Sequence, residues 1–195
     1  MTARWVVDVV QNERDLNITW RPISLLFKND PPQDSAWYPA SLHTHKLLRV
    51  MESLHAAGGN EDAFALYWEA GRNIHHDGIR DVTDPRISAE QLLSNVGLDV
   101  SHAAAFDDDS WDVIIREKMD AGIALVGSDV GTPIIAFDTN DGTGKIGIFG
   151  PVISRAPHGE EGLKLWDAMV TMATMDGFWE LKRTRTVDPD FGERP

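Results

Sequence analysis

The stretch "DVGTPIIAF", Asp129 to Phe137, runs from a polar turn through Gly131 into Thr132-Pro133 and then into an apolar run. Isoleucines and an aromatic at that spacing favour a strand. A proline has no N–H to give to a ladder, so it is tolerated at the first position of a strand. A cis bond at Thr132-Pro133 would be a costly feature. It would turn the Thr132 backbone outward, leaving its N–H and C=O able to pair with an extended substrate. Downstream, "NDGTG" separates this run from a second apolar run, "KIGIF", which predicts a β-hairpin.

The rest of the chain reads mostly as helix. "TARWVVDVVQNERD" is β-branched, but Trp5/Val9 and Val6/Val10 lie at i,i+4, and a helix is favoured. "NITWRPISLLF", Asn17 to Phe27, alternates and predicts a strand, with Pro22 placing it at a sheet edge. "KNDPPQDS" closes it as a loop. In "ASLHTHKLLRVMESLHAAGG", Leu47, Val50, Met51 and Leu54 form one stripe that stops at Gly58-Gly59. "NEDAFALYWEAGRNIHHDG" predicts a helix capped by Asn60, with Phe64, Tyr67, Trp68 and Gly71 on one face. Ser88 stands three residues before Gln91, a capping-box pattern. "SHAAAF" predicts a short helix. "DDDSWDVIIREKMDAGIAL" predicts a helix opened by acids and Ser110, and the last helix carries Leu163, Trp166, Val170 and Ala173 at helical spacing. The order helix, strand, helices, strand, strand, helix predicts one sheet with helices on its faces plus an all-helical insertion.

Composition narrows the function. The 195 residues are 42% hydrophobic and 25% charged, an ordinary globular balance. Net charge is -13, and only "ELKRTRT" is locally basic, which argues against nucleic-acid binding. Those cations are expected to face the negative end of a last helix. No apolar run approaches the ~20 residues needed to span a bilayer. The start of the chain lacks the pattern of a signal peptide. Cysteine is absent, which excludes disulfides and thiolate metal ligands. A cytoplasmic location is the expectation.

Most candidate sites dissolve on inspection. His43 and His45 are two apart on a predicted helix and point to different faces; His75 and His76 are adjacent. No metal site is expected. "DGTGK" lacks the spacing of a phosphate loop and reads as a hairpin turn. "DDD" at 107–109 reads as helix N-terminal acids. Serines near histidines in "SLHTH" and "VISRAPHG" lack the context of a hydrolase nucleophile. Trp20, Trp37, Tyr38, Phe64, Tyr67 and Trp68 read as core or as the lining of a substrate cavity.

The "GTP" turn feeding a hairpin, then "FGPVISRAPHGEEGLKLWDAMVTMA" and "FWELKRTRT", resembles the DsbA-like thioredoxin superfamily. The resemblance is to its actinobacterial branch, which includes mycothiol-dependent nitroreductase, and it spans essentially the whole chain. "AGRNIHHDG" resembles that branch's helical insertion, with His75 at the matched histidine. "ISLLFKND" puts Asn29 at a matched polar position, and Tyr38 falls near a matched tyrosine. The resemblance implies an α/β fold, a thioredoxin-like sheet core with an all-helical insertion. The core would take residues 1–30 and 126–195, the insertion 38–125.

The departures matter as much. The first core strand and the Cys-Pro-x-Cys motif that ends it are missing. Members of the branch read Cys-Pro-Trp-Cys a few residues before a sequence resembling "TARW", and here "MTARW" opens the chain. The expected cysteines would lie upstream of Met1. A thiolate at a helix N-terminus would attack a disulfide, or pair with a low-molecular-weight thiol while electrons pass to a bound acceptor. The resemblance thus implies a thiol-disulfide oxidoreductase, inactive in this cysteine-free chain. It implies no tightly bound cofactor, and mycothiol or glutathione as co-substrate. Substrate binding would fall to Thr132, Pro133, His75, Asn29 and Tyr38. Partners would be a small-molecule or disulfide substrate, with a homodimer as one way to fill the missing strand's place. A kappa-type glutathione transferase or isomerase and a non-catalytic binding protein are the alternatives.

Overall fold

The computed structural model describes residues 1–139 and 141–194. The fold is α/β and helix-rich, a thioredoxin-like arrangement with one two-stranded antiparallel sheet among the described residues. By its internal contacts the chain divides into two units: Met1–Ile18 with Ala121–Gly192, and Thr19–Asp120 with the last residues of the chain.

The first unit is built around the hairpin. Strands β1 (Ile134–Asp138) and β2 (Lys145–Phe149) pair with Ile134 opposite Phe149 and Asp138 opposite Lys145. The expected turn between them includes Asn140, which lies outside the described residues; Gly142 takes a positive φ there. The N-terminal segment is helical, as its i,i+4 spacing predicts: helix α1 (Thr2–Trp5) continues into a π-helical turn, Val6–Val10. Trp5 is fully buried and packs edge-on against Trp166, 5.9 Å away, on the last helix (Gly159–Ala173). Phe137 meets the same Trp166 at 5.8 Å. The close approach depends on Gly162, whose carbonyl accepts from the Trp5 indole at 3.2 Å. A Cβ there would stand 2.9 Å from Val9.

The second unit is an all-helical body. Helix α2 (Leu25–Asn29) packs against α3 (Tyr38–Ala56), which packs against α4 (Asn60–Gly71). A π-helical turn, Arg72–His76, extends α4, and α5 (Ala89–Asn95) follows. A 3-10 segment, Val100–Asp107, lies against α3 and α5, and α6 begins at Asp112 and runs to Ile123. The predicted stripe Leu47, Val50, Met51 and Leu54 is buried with Leu66, Leu92 and Leu93. Ser88 caps α5 through the Gln91 N–H, as its spacing predicts.

Three expectations are corrected. Asn17–Phe27 is not a strand: among the described residues the sheet consists of β1 and β2, and Ser24 instead starts α2. Alternation and β-branching describe a strand's surface, but a strand exists only where another pairs with it. Asn60 does not cap α4; it is the first helical residue, and its side-chain oxygen accepts the Trp20 N–H at 3.0 Å. The basic stretch Glu180–Thr186 does not settle the end of the last helix, which stops at Ala173 with no basic residue in its final turn. Trp179 and Leu181 are about as exposed as side chains get, at 90% and 78%, so no packing holds a helix there.

Candidate functional site

Thr132 and Pro133 open β1 in the first unit. The Thr132-Pro133 and Gly150-Pro151 bonds are both cis. The Gly150 N–H donates to the Pro133 carbonyl at 2.8 Å and closes the base of the hairpin. Thr132 is exposed, and among the described residues its backbone N–H and C=O take no hydrogen bond.

Asn29, Tyr38 and His75 belong to the second unit. Asn29 is the exposed last residue of α2, and Asp30 follows in the left-handed conformation, with φ of 40°. Tyr38 is the half-buried first residue of α3. Asn29 and Tyr38 therefore sit on two elements that pack together. His75 is exposed on the π-helical turn after α4. Such turns are rare insertions in a helix and often mark functional positions.

That turn is held by a buried carboxylate. Glu69 accepts from Asn73 at 2.9 Å and from Asn95 at 2.8 Å on one oxygen, and from the Arg72 Nε at 3.0 Å on the other. Burial pushes its carboxyl up, but the hydrogen bonds from Asn95, Asn73 and Arg72 outweigh this and hold it below the usual range. Arg80 donates to the Ile74 carbonyl on the far side of the turn.

A second network surrounds Asp112. Arg49 donates to it through Nε at 2.6 Å and Nη2 at 2.8 Å, a two-point grip on both oxygens. His45 Nε2 donates to the same carboxylate at 2.9 Å, and the Ser24 hydroxyl stands 2.9 Å from His45 Nδ1. Burial lowers the His45 imidazole below its ordinary range, against the pull of Asp112 and with help from Arg49 and Arg116. For Asp112, burial acts upward, and the Arg49 hydrogen bonds and the His45 and Arg49 charges prevail, leaving it lowered. Beside this network lies an open groove of about 590 Å³ lined by Phe27, Asp112, Val113, Arg116, Glu117 and Asp120.

Nothing in the sequence singles out Ser24 or Asp112, and His45 stands there only as one of two histidines on different helix faces. The one local signal is the residue type: serine favours the position just before a helix. His43, expected to face away from His45, does so and donates to the Ile87 carbonyl at 3.0 Å.

A helix-rich thioredoxin-like fold with an open β1 mouth defines the class. A family model described as "Rv2466c-like: Mycothiol-dependent nitroreductase Rv2466c" matches residues 1–183. The chain belongs to this family, whose described activity is a thiol-dependent reduction using mycothiol.

Proposed function

We propose that this chain carries the substrate-holding part of a DsbA-like, low-molecular-weight-thiol-dependent oxidoreductase, and that alone it does not turn over. The observation that carries the reading is the family match over residues 1–183 in a chain with no cysteine. A thiolate is the nucleophile of thiol–disulfide exchange, and none of the 195 residues supplies one.

In this reading the unpaired Thr132 backbone at the mouth of β1 pairs with the thiol co-substrate or a disulfide. Pro133 would lie against an attacking sulfur that this chain does not itself supply, and Asn29, Tyr38 and His75 are the ligand-binding residues of the second unit. The family's helical insertion runs over 38–125, and the core takes 1–30 and 126–195. Exposed placement of Thr132, Asn29 and His75 supports their access to a ligand.

The test has two stages. The 195-residue chain is assayed for mycothiol-dependent nitro reduction and insulin reduction, and no turnover is expected. A variant extended ahead of Met1 by a strand ending in Cys-Pro-Trp-Cys is expected to gain mycothiol-dependent turnover. Robust turnover by the shorter chain overturns the reading. A non-catalytic binding protein is the second reading, favoured by the absence of cysteine. It predicts that the extended variant folds and binds mycothiol yet stays inactive.

A further inference from the structure

Ser24, His45 and Asp112 form a chain of side chains with the connectivity of a hydrolase triad, built across 21 and then 67 residues of sequence. Its geometry argues against nucleophilic work. Ser24 is completely buried, and its oxygen already accepts the Phe27 N–H at 3.1 Å as the cap of α2. A buried hydroxyl committed to capping has no face to offer a substrate.

The same geometry assigns each proton. Asp112, gripped by Arg49, is ionised and only accepts, so His45 carries its hydrogen on Nε2. Nδ1 then has a lone pair facing Ser24 and accepts the hydroxyl hydrogen. Ser24 in turn accepts from Phe27. Every link is satisfied in one direction, from the helix cap to the carboxylate.

Helix α2 needs such a hold. It has five residues, too few to be stable on its own propensity. Its Phe27 ring is held between the His45 ring at 4.4 Å and the Arg116 guanidinium at 4.0 Å. His45 therefore touches α2 twice, once at its cap and once at its aromatic side chain.

We propose that Ser24 and His45, anchored by Asp112 and Arg49, are positioning residues that set the place of α2 and so present Asn29 to the ligand. The proposal rests on the reading of Asn29 as a pocket residue, and the experiment separates the two. Nitrogen-15 NMR of the wild-type chain reads the His45 tautomer with no substitution; Nε2–H with bare Nδ1 is expected. Amide exchange at Phe27 is then compared in wild type, Ser24→Ala and Ser24→Thr. Mycothiol binding is measured in those three and in Asn29→Ala.

Ser24→Ala is expected to speed Phe27 exchange and weaken mycothiol about tenfold, as a buried imidazole nitrogen loses its donor. Asn29→Ala is expected to weaken mycothiol to a similar degree. Ser24→Thr, which keeps the hydroxyl, is expected to stay close to wild type in both. An Nδ1–H tautomer at His45, or Phe27 exchange unchanged by Ser24→Ala, overturns the relay. Faster exchange in Ser24→Ala with equal mycothiol binding by wild type, Ser24→Ala and Asn29→Ala supports the relay and overturns the pocket role of Asn29.

Discussion

Two carboxylates, Glu69 and Asp112, solve the same problem in opposite ways. Glu69 gathers Arg72 and Asn73 from within four residues and reaches one distant donor, Asn95. Asp112 gathers partners 63 and 67 residues away and, among the described residues, none from its own helix. Glu69 stabilises a local irregularity, the π-helical turn that carries His75. Asp112 ties three separate elements together, and one of them, α2, is too short to stand without it. A local network adjusts a helix; a long-range one decides where a helix can exist.

The contrast can be broken by neutralising each carboxylate with its isosteric amide. Asp112→Asn leaves Arg49, 9% exposed, facing an amide that must present an NH2 to one of its two donors. Asp112 is itself 25% exposed, so the loss is expected at the low end for a buried ion pair, about 3 kcal/mol. Thermal unfolding of a chain this size should then fall by roughly 9 °C. Glu69→Gln keeps an acceptor for Asn73 and Asn95, and its cation, Arg72, is 26% exposed to water. The expected loss is smaller, about 1.5 kcal/mol by the same urea or thermal measurement. Equal losses would show that the two networks do not differ in kind.

Asn95→Ala sharpens the comparison from the other side. It removes the one long-range donor to Glu69, and its expected cost is about 1 kcal/mol. If it matches Glu69→Gln, the Glu69 network is long-range in its energetics despite its local wiring.

The smallest effect is a pH dependence. His45 binds a proton less readily in the folded chain than in the unfolded one, because burial disfavours its charged form. Its contribution to stability is therefore complete above the ordinary histidine range, near pH ~6.5, and is lost as pH falls through that range toward its lowered folded value. Burial is the largest cause of the shift; of the charges that face the ring, Asp112 opposes it and Arg49 and Arg116 add to it. His43, also lowered by burial, acts in the same direction. Urea midpoints at pH 7 and pH 5.5 should differ in wild type and differ less in His45→Gln; an unchanged difference assigns the dependence elsewhere.

Much of the fold is legible in the sequence because its signals are local. The Leu47–Leu54 stripe, the Ser88 cap and the two runs around "NDGTG" each depend on residues a few positions apart. Asn17–Phe27 misleads for the complementary reason. Its alternation is real, but whether it becomes a strand depends on a neighbour elsewhere, and Ser24 with His45 draws its end into a helix instead. Of the candidate site, the mouth of β1 and the position of His75 on an extension of α4 follow from local pattern and resemblance. The relay behind Asn29 does not, since nothing at Ser24 signals a carboxylate 88 residues later.

The helical body, the hairpin, the absence of any thiol and the family resemblance all follow from composition and near-neighbour spacing. That His45 is an internal link with a defined tautomer, that α2 exists, and that Asp112 rather than any nearby acid anchors it emerge only in the folded chain. Those outcomes turn on burial and on donors meeting acceptors across long stretches of chain, and such meetings leave no periodic trace in the order of residues.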